Sequence, residues 1–109
     1  MHDAIRQRRS IRRFTREPVS DDLVEEILDA ARWAPSGLNN QPWRFAVIRD
    51  ARVKERLASL TRYGAIIRSA DVIIAVFFDT ASGYDWTKDL QSIGACIQNM
   101  LLAIHESGL

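Results

Sequence analysis

The spacing of hydrophobic residues changes from helical to alternating within the first half of the chain. After Ser20, a suitable N-cap followed by two acidic residues, apolar residues recur every three or four positions until Pro35, which predicts a helix. The apolar face of this helix consists of Leu23, Ile27, Leu28, Ala31 and Ala34. From Trp43 to Ile48, the residues Trp43, Phe45 and Val47 then alternate with Arg44, Ala46 and Ile48. This alternation predicts a strand with one strongly apolar face, closed by Asp50.

Two shorter stretches also have helical character. A short helix is predicted from about Asp3, as its N-cap, to Arg9. A surface helix is predicted where Val53, Leu57 and Leu60 recur at helical spacing, because charged residues occupy the opposite side of the same turns.

The second half of the chain contains an apolar strand and a long apolar helix. Val72–Phe78 is apolar without alternation and rich in β-branched and aromatic residues, which predicts a central strand covered by helices on both faces. After a loop over Thr80–Tyr84, a near-heptad apolar series from about Lys88 to Glu106 is typical of a helix buried in a core or against a partner subunit. Gly108 suits a C-terminal stop. The series is Leu90, Ile93, Ile97, Met100 and Ile104.

Length and composition indicate one globular domain over residues 1–109. Apolar residues make up 47% and charged residues 27% of the chain, which are ordinary values for a soluble protein. Cys96 is the only cysteine, so no intramolecular disulfide can form, and we expect an inert core thiol in a reducing cytoplasm. The apolar stretches are far shorter than the ~20 residues of a spanning helix, so no membrane partner is expected. Neither His2 nor His105 has ligand-spaced neighbours, so no metal site is predicted.

Positive charge is concentrated at the amino end, although the net charge of the chain is only +1. The arginines of the first sixteen residues are Arg6, Arg8, Arg9, Arg12, Arg13 and Arg16. Such a cluster is often a solvated face, and sometimes a patch that binds nucleic acid or a membrane. The stretch Arg8-Arg9-Ser10-Ile11-Arg12 also combines guanidinium forks with a hydroxyl, the groups suited to a phosphate and a polyol.

A second motif lies in the polar, proline-bounded loop that leads into the first strand. From Pro35 to Trp43 its sequence is Pro-Ser-Gly-Leu-Asn-Asn-Gln-Pro-Trp. An anionic, flat and partly apolar cofactor needs both a cationic motif and a loop of this kind. The two motifs together therefore predict a site for flavin mononucleotide (FMN), and no nucleic-acid partner is expected.

With a third stretch, Gly94–Ala103, these motifs resemble the nitroreductase family of FMN-dependent oxidoreductases over nearly all of the chain. The resemblance implies a nitroreductase-like α+β fold, with a mixed or antiparallel central sheet flanked by helices. It implies an intertwined homodimer that binds FMN at the subunit interface. It also implies that NAD(P)H reduces the flavin and leaves, after which a nitroaromatic, quinone or similar small-molecule acceptor uses the same pocket in a ping-pong exchange. The flavin would carry the chemistry, so no catalytic side chain is expected.

The resemblance also assigns roles to individual residues. The residues implied to contact the FMN phosphate, the ribityl chain and the pyrimidine edge are Arg8, Ser10 and Arg12, with Arg9 as a further contact. The residues implied to reach the isoalloxazine from the other subunit are Pro35, Ser36, Gly37 and Asn39. We expect Trp43 to pack beneath the site and Gln41 to brace the loop.

Two departures from the family pattern leave alternatives open. Family members usually continue past Leu109 with further strands and a basic residue for the phosphate, so the chain is expected to be truncated at its C-terminus. Many members also place an Asn and a Lys near the flavin, for which the candidates here are Lys54, Arg62 and Arg68. The alternatives are a same-fold dehalogenase or flavin-fragmenting enzyme, and an inactive, flavin-free fragment whose arginines bind anionic partners.

Overall fold

The chain folds into helices and a small sheet, and the computed structural model describes residues 2–109. In chain order the elements are α1 (Asp3–Gln7), α2 (Asp21–Arg32), β1 (Trp43–Ile48), α3 (Ala51–Ser59), α4 (Gly64–Ser69), β2 (Ile73–Phe78) and α5 (Trp86–Glu106). Single-turn 3-10 helices span Gly37–Asn39 and Thr80–Ser82. Among the described residues, no helix has both the length and the apolar character needed to cross a bilayer.

Contacts between residues divide the chain into two compact units. The first unit contains residues 2–9, Ser20–Arg44 and Val76–Leu109, and the second contains Ser10–Val19 and Phe45–Ala75. The single domain expected over residues 1–109 stays a prediction.

The helix α2 begins at the predicted N-cap. The Ser20 hydroxyl accepts a hydrogen bond from the Leu23 N–H at 3.2 Å, which satisfies one of the N–H groups that have no partner inside the helix. The helix ends at Arg32, before Pro35, so its predicted position is confirmed apart from the last turn.

The core of the first unit lies between α2 and α5. Its buried side chains are Val24, Ile27 and Ala31 from α2, and Ser92, Cys96 and Met100 from α5. Burying one side chain of the size of Val24 or Ile27 stabilises a fold by roughly 1.5–3 kcal/mol. The Asn99 side-chain amide also donates to the Ala30 carbonyl at 3.2 Å, so the two helices are joined by a polar contact as well.

The helix α5 is longer than predicted and buries a different face. It begins at Trp86 because the Asp85 carboxylate caps it, accepting a hydrogen bond from the Lys88 N–H at 3.0 Å. Within the predicted apolar series, Met100 is buried but Ile97 is partly exposed. The buried face of the helix instead consists of Asp89, Ser92, Cys96 and Met100. A carboxylate can be buried on this face because Asp89 accepts hydrogen bonds there. Gly108, with a φ of 78°, ends the helix region as predicted.

The sheet in the described residues consists of β1 and β2. The Asp79 N–H donates to the Pro42 carbonyl at 2.7 Å, so the end of β2 lies beside the start of β1 and the strands are antiparallel. β1 has the predicted bounds, but Val47 of its predicted apolar face is 43% exposed. The prediction of a covered central strand over Val72–Phe78 is wrong for the described residues, since β2 has one neighbouring strand and Phe77 is 54% exposed. An apolar run indicates what a strand can bury, but it does not indicate which segments cover it.

In the second unit, α3 packs against α4. Asp50, predicted to close β1, is the N-cap of α3, and its carboxylate accepts hydrogen bonds from the N–H groups of Arg52 and Val53 at 2.9 and 3.0 Å. Leu60 lies after the end of this helix and is exposed, contrary to its predicted place on the apolar face. The sequence pattern does not predict α4, because this helix begins at Gly64 and has no side-chain cap.

The helix α1 is shorter than predicted. It ends at Gln7 rather than Arg9, because the backbone of Arg8 leaves the helical region with a ψ of 136°. Its N-cap is His2, which makes no side-chain capping bond, and Asp3 is the first helical residue.

Candidate functional site

The arginine-rich segment follows α1 and is largely exposed. Arg8 and Arg9 belong to the first unit, and Ser10 and Arg12 to the second. The Arg9 guanidinium turns back on its own backbone and donates to the carbonyls of Arg6 and Arg8 at 2.6 and 2.8 Å. Within residues 2–109, neither Arg8 nor Arg12 forms a salt bridge, so both guanidinium groups can pair with an anion.

The loop from Pro35 to Gln41 contains three non-glycine residues with positive φ angles. The φ values are 56° at Leu38, 54° at Asn39 and 48° at Gln41. The left-handed region costs an L-residue roughly 1–2 kcal/mol, so other contacts must hold the loop. The Ser36 hydroxyl accepts a hydrogen bond from the Gln41 N–H at 3.1 Å, and the Gln41 side chain donates to Asn39 Oδ1 at 3.3 Å. These bonds fit the bracing role expected for Gln41.

A buried carboxylate in the first turn of α5 ties this loop to the segment that precedes the helix. Asn40 Nδ2 donates to Asp89 Oδ1 at 2.7 Å and to the Ser82 carbonyl at 2.9 Å. Asp89 Oδ2 accepts hydrogen bonds from the N–H groups of Tyr84 and Asp85 at 2.9 and 3.1 Å. Asp89 is 1% exposed, so these hydrogen bonds form where water competes little for them.

The surroundings of Asp89 favour its ionised form. Burial by itself raises the pKa of Asp89, but the hydrogen bonds from the Asn40 side chain and from the Asp85 and Tyr84 N–H groups outweigh burial and hold the pKa below its usual value. Asp89 is therefore a carboxylate at neutral pH. The orientation of the Asn40 amide is fixed as well, because only its NH₂ group can donate to both the carboxylate and the Ser82 carbonyl. Asn40 Oδ1 is buried and has no hydrogen-bond partner among the described residues.

A second tie joins the start of β1 to the turn after β2. Arg44 Nη2 lies 2.8 Å from Asp79 Oδ2 and donates to the Ser82 hydroxyl at 3.2 Å. The Ser82 hydroxyl donates in turn to Asp79 at 2.8 Å, and this bond is the main reason that the pKa of Asp79 lies below its usual value. Arg44 Nη1 also donates to the Gln41 carbonyl at 3.1 Å. Trp43, next to Arg44, is buried, in agreement with its predicted packing role.

A recess of about 310 Å³ lies between the loop and the start of α5. The segment 35–37 lines one side of the recess, and Tyr84, Lys88 and Gln91 line the other. The Tyr84 hydroxyl lies so close to Gly37 that a Cβ atom at Gly37 would overlap it. The Lys88 ammonium is 5.8 Å from the centroid of the Tyr84 ring. An aromatic ring, a cation and polar groups at one recess suit a planar, polar organic molecule.

The three basic residues considered for the family's Lys position lie in the second unit. The Lys54 ammonium donates to the Ala70 carbonyl at 2.8 Å. Arg68 forms a bidentate pair with Glu55 at 2.8 and 3.0 Å. Both side chains therefore serve contacts within the unit, whereas Arg62 is exposed.

Sequence reasoning does not single out Asn40, Tyr84 or Asp89, although these residues hold the loop and its neighbouring segment together. The motif directs attention to Asn39, but Asn39 is exposed and the adjacent Asn40 turns inward. One signal points to Asp89, since helical spacing places it on the same face as the buried Cys96, where a carboxylate needs hydrogen-bond partners.

Comparison with known proteins assigns the chain to a family. The model of the nitroreductase family matches residues 5–65. The chain belongs to the nitroreductase family. The expected family is thereby confirmed.

Solved structures share the fold of this chain and confirm the expected nitroreductase-like α+β fold. A crystal structure from Desulfovibrio desulfuricans, described as a "putative nitroreductase in complex with fmn", is 60% identical, with a TM-score of 0.93 over 95% of this chain and 61% of that chain. A structure from Clostridium acetobutylicum, named "Putative NADH Oxidase", is 32% identical, with a TM-score of 0.87 over 93% of this chain and 61% of that chain.

A curated relative from Methanothermobacter thermautotrophicus is 39% identical over a gapped alignment of 111 positions, which covers 98% of this chain and 56% of that protein. Its name is "Putative NADH dehydrogenase/NAD(P)H nitroreductase". The iodotyrosine deiodinase of Thermotoga neapolitana is 27% identical over a gapped alignment of 135 positions, which covers 100% of this chain and 70% of that protein. This nitroreductase-family chain thus spans between 56% and 61% of the length of the nitroreductase and oxidase relatives named above.

Proposed function

We propose that the protein is an FMN-dependent oxidoreductase that passes electrons from NAD(P)H to a small organic acceptor. The observation that carries this proposal is the 60% identity, over 95% of this chain, to the Desulfovibrio desulfuricans structure described as a complex with FMN. The name of the Methanothermobacter thermautotrophicus relative supports NAD(P)H as the electron donor. Arg8 and Arg12 form no ion pair with any residue from 2 to 109, so their guanidinium groups suit a phosphate, and the recess beside the loop suits a planar ring.

The proposed flavin site takes its residues from both sequence motifs. The residues proposed to hold the phosphate, the ribityl chain and the pyrimidine edge are Arg8, Arg9, Ser10 and Arg12. The residues proposed to contact the isoalloxazine are Pro35, Ser36, Gly37 and Asn39, contributed by the second copy in a homodimer. Arginine suits the phosphate because its planar fork makes paired, charge-assisted hydrogen bonds and keeps its charge at neutral pH.

The protein's own part in the proposed reaction is to bind, orient and stabilise charge. Bound FMN would supply the redox chemistry, taking a hydride from NAD(P)H and returning electrons to a nitroaromatic, a quinone or a similar acceptor. Fixed cationic and amide donors lower the energy of negative charge in a partly dry site. Donor and acceptor would use one site in turn, which gives ping-pong kinetics.

Steady-state kinetics of the purified protein test this function. We expect a yellow protein whose NADH or NADPH oxidation depends on FMN and on an added quinone or nitroaromatic. Double-reciprocal plots at several acceptor concentrations should give parallel lines. A protein that is colourless, and stays so after addition of FMN and removal of the excess, would contradict the proposal. Intersecting lines would contradict the ping-pong order alone.

One observation favours a second candidate function, reductive dehalogenation within the same fold. The Thermotoga neapolitana iodotyrosine deiodinase matches 100% of this chain at 27% identity. Iodide release from iodotyrosine, measured beside nitroaromatic reduction with the same reductant, separates the two candidates. The leading proposal expects the nitroaromatic to be the better substrate, and a higher kcat/KM for iodotyrosine would favour the second.

A further inference from the structure

The loop of the proposed flavin site does not hold its conformation by local preference alone. Leu38, Asn39 and Gln41 all have positive φ angles, a region that L-residues occupy when surrounding contacts keep them there. The side chains of Leu38 and Asn39 are exposed. Asn40, by contrast, reaches beyond the loop, since its side-chain amide donates to the Asp89 carboxylate, 49 positions further along the chain.

The carboxylate of Asp89 connects two sides of the recess. One of its oxygens accepts the hydrogen bond from Asn40 at 2.7 Å, and the other accepts the bond from the Tyr84 N–H at 2.9 Å. Asn40 lies directly after the 3-10 turn that begins at Gly37, and the Tyr84 hydroxyl lies against Gly37. A single buried side chain thus fixes both the loop and the backbone that carries the aromatic ring.

We propose that Asp89 is a positioning residue of the flavin site, which fixes the backbone of residues 36–41 through Asn40 and places the Tyr84 ring at the recess through the Tyr84 N–H. The inference rests on the proposed FMN function, because it states how that site is preorganised. A loop that is ordered before the ligand arrives gives higher affinity, since less conformational entropy is lost on binding. Asp89 acts through other groups and is buried beneath them.

Two asparagine variants separate positioning from general stability. Asn40→Ala removes the link to Asp89, whereas Asn99→Ala removes a comparable part-buried amide that donates to Ala30 between α2 and α5. Both variants should lower the urea midpoint. We expect the Kd for FMN to rise about tenfold in Asn40→Ala and to stay within about twofold of wild type in Asn99→Ala. The visible circular dichroism of bound FMN should change in Asn40→Ala and not in Asn99→Ala.

A double-mutant cycle tests whether Asn40 and Asp89 act as one unit. Asp89→Asn keeps the size of the side chain but removes the charge that accepts the hydrogen bonds. If the two residues act together, the Kd for FMN of the double variant with Asn40→Ala should be close to that of the weaker-binding single variant. If the fold increases in Kd for FMN of the two single variants multiply in the double variant, the proposal is overturned.

Amide hydrogen exchange gives a readout that does not depend on FMN. Without added flavin, Asn40→Ala should speed exchange selectively at residues 36–41, and Asp89→Asn should speed it there and at the Tyr84 N–H. Asn99→Ala should leave these amides at the wild-type rate. If Asn40→Ala leaves the exchange of residues 36–41 unchanged, or weakens FMN binding no more than Asn99→Ala does, the positioning role is overturned. If the wild-type protein takes up no FMN, the proposed function fails, and the exchange pattern alone then decides whether Asp89 positions the loop.

Discussion

Among single residues, Cys96 shows how burial controls reactivity. Its thiol is fully buried on α5, and burial raises the pKa of Cys96 to about 11. Because the thiolate is the reactive form, the folded protein should react with a colorimetric disulfide reagent at about pH 8 on the order of 100-fold more slowly than the urea-unfolded chain. The absorbance of the released thiolate measures both rates. Equal rates would contradict the assignment of Cys96 as an inert core thiol.

At the same scale, the two asparagines of the loop mark the limit of sequence reasoning. The motif identifies the loop, because its prolines and polar residues are local features of the chain. It does not distinguish the exposed Asn39 from the inward Asn40, since that difference depends on positive φ angles and on a carboxylate at Asp89, far away in sequence. The partners of a loop side chain are a tertiary property, which no local pattern contains.

At the scale of elements, the helix caps make separable contributions to stability. Ser20→Ala removes the cap of α2 and Asp50→Ala removes the cap of α3, so each should lower the free energy of unfolding by about 1 kcal/mol. The matched control is Glu25→Ala on the exposed face of α2, which should change the free energy of unfolding by less than about 0.5 kcal/mol. Urea titrations followed by circular dichroism measure all three variants. Cap variants as stable as the control would contradict this account of the helix starts.

Elements with strong local signals are the ones that the sequence predicts well. The cap of α2, the burial of Ile27 and Ala31 on its predicted face, and the bounds of β1 are confirmed because each depends on residues close together in the chain. The helix α4 has no such signal, since it begins at Gly64 and is supported by packing against α3. The buried face of α5 also differs from its apolar series, because Asp89 takes a core position through hydrogen bonds that hydropathy does not reveal.

For the whole molecule, acid should unfold the chain through a small set of bonded carboxylates. The pKa values of Asp71, Asp79 and Asp89 lie below their ordinary value of 3.8. A carboxyl group whose pKa is lower in the folded state than in the unfolded state adds stability above the unfolded pKa, and this stability is lost as the pH falls through the folded pKa. These three groups should therefore not change the stability between about pH 8 and pH 5, and their contribution should fall below about pH 4.

Urea midpoints measured across this pH range test that expectation. Below about pH 4, the urea midpoint of the Asp89→Asn variant should fall less steeply with decreasing pH than that of the wild type, because one of the three titrating carboxyl groups is gone. An equally steep acid dependence in Asp89→Asn would contradict a contribution from Asp89.

Also for the whole molecule, the family follows from three motifs in order along the chain, and the match to residues 5–65 confirms it. The arrangement of two copies around one flavin is not encoded in any single motif, because it depends on surfaces that meet only in the assembly. The homodimer and its shared site therefore stay proposals.

The most direct test of the central claim is a fluorescence titration of FMN with the wild-type protein and with Arg8→Gln, Arg12→Gln and Arg13→Gln. Arg13 is the control, since it is an exposed arginine of the same segment with no proposed flavin contact. Loss of a charge-assisted bond to the phosphate should raise the Kd for FMN about tenfold or more in Arg8→Gln and Arg12→Gln, and Arg13→Gln should stay within about twofold of wild type. Unchanged FMN affinity in both Arg8→Gln and Arg12→Gln would contradict the account.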